Sequence, residues 1–202
     1  MLNESSNPCE STEEQLLVKA KELFFSRGLL HASTQEIADF AGVNRTLVNY
    51  YFRSKQNLFA KAHAEVMKEM KEELARVYLE KIPFREKVEL FIDFVLEFRD
   101  KYPFLEVFNI HETAKISNRE ASIVQPKYIE ELSVFLCEID EEIKTGRLKF
   151  KQPIDFIITI IALISYPKVM KPIYQSAFNI SEHDYEQMLA ERKEVALRMV
   201  FN

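Results

Sequence analysis

Glycine is almost missing from this chain. Its 202 residues include only Gly28, Gly42 and Gly146, where average usage of about 7% would give roughly fourteen. Hairpin-rich sandwiches, dinucleotide-binding sheets and phosphate-cradling loops all depend on turn glycines. Leu, Glu, Lys, Ala and Phe are plentiful instead, and these residues favour long helices with short connections. With 47% hydrophobic residues, the chain can bury ample cores and does not read as disordered. The expected fold class is all-α.

Capping signals divide the first third finely. Met1–Glu10 reads as a loose polar arm. Ser11 with Glu14 forms a capping box before a helix whose apolar positions are Leu16, Leu17, Ala20, Leu23 and Phe24, closed by Gly28. Ser33 with Glu36 opens a short second helix, and Gly42-Val43 makes a tight turn. Asn44 caps a third helix over Arg45–Tyr51, and Ser54 caps a long fourth from Lys55 to about Lys81. Short helices around a Gly-containing turn are the pattern of a helix-turn-helix.

Charge singles out the same region. Residues 1–61 carry seven basic and seven acidic side chains, so the net charge of −5 resides in residues 62–202. The run Gly42–Lys61 nevertheless holds Arg45, Arg53, Lys55 and Lys61 with no acid at all. A local cationic patch on an acidic protein suits a polyanion. At ~100° per residue, Arg45, Thr46 and Asn49 share one arc while Leu47, Val48 and Phe52 point elsewhere. Arginine can fork onto guanine, asparagine can pair with adenine, and the threonine methyl can touch thymine. Lys55, at a helix N-terminus, is placed to grip a phosphate.

Two stretches carry a resemblance. Ser33-Thr-Gln-Glu-Ile-Ala-Asp-Phe-Ala-Gly-Val, and Val48-Asn-Tyr-Tyr-Phe-Arg-Ser-Lys-Gln-Asn-Leu-Phe59, resemble the DNA-binding domain of the TetR family of transcriptional regulators, with Ala20, Phe24, Gly28 and Thr34 in supporting places. The resemblance implies a helix-turn-helix domain over residues 11–61 and a ligand-binding and dimerisation domain over 62–202. It implies DNA contacts by Thr34, Arg45, Thr46, Tyr50, Tyr51 and Lys55. Asn49 departs from the family pattern, which usually has Tyr there, so operator preference does not transfer. The implied protein is a cytoplasmic homodimeric repressor, released from an inverted-repeat operator on double-stranded DNA by a small apolar or amphipathic effector.

Residues 62–202 carry no sharp motif. His111-Glu112 begins like a zinc-protease helix, but Lys115 stands where the second histidine belongs, and neither a nucleophile elbow nor a phosphate loop occurs. The chain reads as a non-enzyme without metal or cofactor. Phe91, Phe94, Phe98, Phe104 and Phe108 crowd into eighteen residues. They suit a bundle core, or a cavity in which Phe91, Phe94, Phe98 and Phe108 line a ligand with His111 or Tyr128 as polar groups. The last helices have broad apolar faces, and Ile157, Ile158, Ile161, Met188 and Val195 are the expected dimer contacts. Pro167 is expected to kink or end its helix near Tyr166, and Ser181 to start a last helix reaching the C-terminus. The N-terminus lacks a signal-peptide pattern, the apolar run Phe156–Ser165 is too short to span a bilayer, and no membrane partner is expected. Two other functions fit the same residues: a constitutive helical DNA-binding protein without an effector, and a ligand-binding protein that has lost specific DNA binding.

Overall fold

The computed structural model describes residues 11–115 and 126–201, without the side chains of 111–115 and 126–129. The N-terminal arm 1–10 therefore lies outside the described residues, as do the side chains of His111 and Tyr128. Every regular element described is helical: α1 (Thr12–Lys21), α2 (Thr34–Ala41), α3 (Arg45–Phe52), α4 (Lys55–Leu79), α5 (Phe84–Lys101), α6 (Leu105–Lys115), α7 (Pro126–Lys144), α8 (Pro153–Val169), α9 (Lys171–Phe178), α10 (Glu182–Ala190) and α11 (Arg192–Val200). Both capping boxes form, Ser11 with Glu14 and Ser33 with Glu36.

The chain divides into two compact units. One takes the chain as far as Met70 together with Lys101–Leu105; the other takes Lys71–Asp100 and the chain from Glu106 on. The sequence puts the boundary near residue 61, inside the long fourth helix, and α4 runs unbroken through it to Leu79. Leu58, Ala62 and Val66 are fully buried, so two further turns of α4 pack before the division at Met70.

In the first unit, α1 does not close at Gly28 as an ordinary helix. It passes into a π-turn over Glu22–Ser26, marked by the Arg27 N–H reaching the Glu22 carbonyl at 3.0 Å. Leu23, Phe24 and Phe25 are all buried. Three consecutive residues cannot share one narrow face of an α-helix, and the wider π-turn lets them do so. Phe24 and Phe25 both meet Phe59, at 4.8 and 5.5 Å between ring centroids. Gly28 follows at φ +73°, and a Cβ built on it would lie 2.7 Å from the Phe104 ring. Only glycine fits there.

The second unit has an aromatic core. Tyr78 stacks on Phe135 at 5.1 Å, Phe91 lies 5.8 Å from Phe135, and Phe84 joins Phe135 to Phe156. Within it Lys87 is only 2% exposed, its ammonium donating to both oxygens of Glu138 at 2.7 Å and to the Tyr78 carbonyl at 3.1 Å. Among the described residues no single helix is long and apolar enough to cross a membrane.

Two helix ends differ from expectation. α8 continues through Pro167 to Val169, and the chain turns by 66° into α9. Pro172 explains the break better than Pro167: its ring excludes the carbonyl four residues earlier, while the second position of a new helix tolerates it. The helix begun at Ser181 stops at Ala190, and α11 restarts at Arg192. No glycine or proline marks that break. Ala196, Leu197 and Val200 are buried, and α11 packs along α8, so packing rather than local propensity sets it.

Candidate DNA-reading face

Helix α3 is short and its two sides are sharply different. Val48 and Phe52 are buried, whereas Arg45, Thr46, Asn49 and Tyr50 are exposed, Tyr50 by 75%. Asn44 caps the helix, its Oδ1 accepting the Thr46 N–H at 2.8 Å. The outward arc therefore offers a guanidinium, a hydroxyl, an amide and a phenol, with no carboxylate among them. Such a face can donate to base edges and phosphates without repelling either. Tyr51 is half-buried and meets Tyr50 edge-on at 5.1 Å between centroids.

Thr34 and Lys55 sit at the first positions of α2 and α4, where backbone N–H groups lack helical partners. Ser54 Oγ accepts the Asn57 N–H at 3.1 Å and so caps α4. The Ser33 backbone and hydroxyl hold the Glu36 carboxyl below the ordinary carboxylate range, and the nearby Lys55 ammonium adds to this. Lys61, the fourth cation of the run, is instead paired with Glu13 and lies over the Phe52 ring. Sequence order had hidden that acid.

Between α3 and α4 the backbone is strained. Arg53 has φ +62° and ψ −34°, and the Ser54 N–H donates to the Phe52 carbonyl at 2.7 Å. This is a γ-turn of the rare positive-φ kind. It reverses the chain within one residue and fixes the reading helix against the start of α4.

Sequence reasoning missed a second feature of this unit. Its five-residue segment Lys101–Leu105 comes from the junction of α5 and α6, although the helices on either side belong to the other unit. The Phe104 N–H donates to the Phe25 carbonyl at 3.1 Å, and Ser26 Oγ donates to the Lys101 carbonyl at 2.7 Å. The Tyr102 hydroxyl donates to Glu69 at 3.0 Å, and Lys101 and Lys21 both pair with the same carboxylate. Burial pushes the Glu69 carboxyl up, but the hydrogen bonds from Lys101 and Tyr102 outweigh it and leave it below its ordinary value. Glu69 and Tyr102 are thirty-three residues apart, and no spacing rule joins them.

Residues 16–62 match the model of the tetR family of bacterial regulatory proteins. Over this span, from within α1 through α2 and α3 to the start of α4, the chain resembles the DNA-binding domain of those transcriptional regulators. Over 138 residues it is 26% identical to the uncharacterized HTH-type transcriptional regulator YhgD of Bacillus subtilis (strain 168), covering 67% of this chain and 72% of that protein. The fold resembles HlyIIR, a hemolysin II transcriptional regulator, at TM-score 0.61 and 23% identity over 95% of this chain and 97% of that one. It also resembles a TetR family transcription regulator from Marinobacter aquaeolei VT8, at TM-score 0.53 and 16% identity over 94% and 95% of the two chains.

In the second unit the candidate residues differ in burial. Phe91 is 1% exposed and locked into the Tyr78–Phe135 stack. Phe94 and Phe98 pair at 5.4 Å, and Phe108 is half-buried on α6. Ile157 lies in the chain's own core at 6% exposure, whereas Ile158 is 57% exposed. Ile161, Met188 and Val195 are half-buried. The outer side of α8 shows Ile154, Ile158, Ala162 and Tyr166, all exposed and four residues apart. A cavity of about 310 Å3 opens among α8–α11, with walls that include Tyr166, Tyr174, Phe178, Tyr185, Met188 and Arg192.

Proposed function

We propose that this regulator is a cytoplasmic homodimeric repressor that leaves an inverted-repeat operator when a small apolar or amphipathic effector binds its second unit. Arg45, Thr46 and Asn49 read bases in this scheme, and Thr34, Tyr50, Tyr51 and Lys55 hold the backbone. The exposed apolar ladder Ile154–Ile158–Ala162–Tyr166 supports a helical partner from a second copy, since such a stripe is costly to leave in water. Met188 and Val195 join that contact in this scheme, and Phe94, Phe98 and Phe108 are candidate aromatic contacts for an effector. The protein is not an enzyme in this reading.

One observation carries the regulatory half: Lys101–Leu105 is tied into the first unit by the Phe104–Phe25 backbone hydrogen bond, the Ser26 hydroxyl and the Glu69 cluster. Its flanking helices α5 and α6 belong to the unit assigned to the effector. A ligand that shifts either helix pulls on a segment fixed beside α1. A hundredfold loss of operator affinity needs ~2.7 kcal/mol of coupling, within the usual range for allostery. The test is operator binding by fluorescence anisotropy with and without thermal-shift hits from an apolar compound screen. Release of DNA by a hit, weakened in Glu69→Gln, is the expected result. Hits that bind tightly and leave operator affinity unchanged favour the constitutive DNA-binding reading instead.

A further inference from the structure

We propose that the cavity among α8–α11 binds a small organic anion, an apolar or single-ring carboxylic acid, through Arg192. This rests on the reading that the second unit takes an effector, and it moves the place away from Phe94, Phe98 and Phe108, none of which lines this cavity. Its volume of about 310 Å3 is at the lower end of the ~300–1,000 Å3 typical of small-molecule pockets. The walls are aliphatic and aromatic except for one cation, Arg192, and no carboxylate lines them.

Arg192 is poorly explained as a structural residue. Its Nε is buried and has no hydrogen-bond partner among the described residues. It is the first residue of α11, where a positive charge opposes the helix dipole. The other cations nearby are committed: Lys193 pairs with Asp93, and Lys171 with Glu182 and Glu186. Leaving a buried donor unpaired is costly, and an anion in the cavity removes that cost while gaining a charge-assisted bond.

The wall opposite is arranged rather than collapsed. The Tyr185 hydroxyl donates to the Pro167 carbonyl at 2.6 Å, which ties α10 to the end of α8. Tyr174 packs between Tyr166 and Phe178, at 6.2 and 5.8 Å between centroids. These rings suit the apolar body of an acid whose carboxylate meets Arg192. A second copy docking through the α8 ladder presents Ile154, Ile158, Ala162 and Tyr166, none of which carries a negative charge. It can cover the mouth of the cavity but leaves Arg192 unneutralised, so a small anion is the better occupant.

The experiment is calorimetric titration of the full chain with 3-phenylpropionate and octanoate, beside the neutral 3-phenylpropanol and octanol. The acids should bind at least about tenfold more tightly than the alcohols, as charge-assisted bonding requires. Arg192→Gln should abolish that preference while leaving the ligand-free melting temperature equal or higher, and Arg192→Lys should keep part of it. Equal binding of acids and alcohols, or unchanged acid binding in Arg192→Gln, overturns the proposal. So does failure of every acid combined with a shift toward monomer in Arg192→Gln by sedimentation, which would make the cavity part of the dimer contact. Acid binding through Arg192 that leaves operator affinity untouched keeps this site and overturns the proposed regulation.

Discussion

The two units each leave one helix face unsatisfied, and they do so in opposite ways. In the first unit α3 turns Arg45, Thr46, Asn49 and Tyr50 outward above a filled core of Val48, Phe52 and Ile37. In the second, α8 turns Ile154, Ile158, Ala162 and Tyr166 outward above Phe156, Ile160 and Ile164. A polar face free of carboxylates fits a polyanion; an apolar ladder fits another apolar ladder. Neither face contributes much to its own unit's stability. Substitutions on the two faces should therefore separate binding from folding, and those beneath them should not.

The largest expected effect tests the apolar face. Ile158→Asp places a charge in the middle of the ladder and should convert dimers to monomers in sedimentation velocity. Because two linked heads gain about 10²–10⁴ in apparent affinity over one, operator binding should fall by a comparable factor while helicity is retained. A monomeric wild type at micromolar concentration would break the comparison outright.

Elsewhere in the first unit, Gly28→Ala should cost about 3 kcal/mol in urea unfolding, combining a left-handed backbone with overpacking against Phe104. A loss near zero would mean that neither the left-handed backbone nor the Phe104 ring restricts this position. Arg53→Gly should act oppositely, gaining about 1 kcal/mol by relieving the strained γ-turn.

Glu69 gives a smaller, pH-dependent effect. Its folded pKa lies below its ordinary value of 4.5, so its stabilisation is complete above about that pH. It is lost as pH falls through the folded value. Wild type should therefore lose stability more steeply on acidification below pH ~4.5 than Glu69→Gln does. Matching profiles would show that the Lys101–Tyr102–Glu69 cluster adds nothing.

The first unit was legible because its signals are local. Ser33 with Glu36, Gly42, Asn44 and Ser54 each act within three or four residues, and the polar arc of α3 follows from helical spacing alone. What stayed hidden there depends on contacts distant in sequence: Glu13 on Lys61, Glu69 on Tyr102, Phe104 on Gly28. The π-turn was also invisible, since Leu23-Phe24-Phe25 reads as an ordinary apolar run. In the second unit, the sequence singled out the Phe-rich stretch and the apolar faces of the last helices but could not sort their residues. Ile157 and Ile158 are neighbours with the same side chain, one core and one surface, and only packing separates them. The α10–α11 break has no local cause in sequence, and Arg192 looked like one charge among many.

The central claim is that α3 reads sequence while the helix N-termini beside it hold phosphate. The most direct test is selection from a randomised duplex library by wild type, Asn49→Ala and Lys55→Ala at several salt concentrations. Asn49→Ala should relax one position per half-site at a cost of ~1–3 kcal/mol, and Arg45→Ala should do the same at another. Lys55→Ala should weaken all sequences alike and reduce the salt slope by about one phosphate per subunit. A changed base preference in Lys55→Ala, with Asn49→Ala selecting the wild-type sequence, would contradict the account.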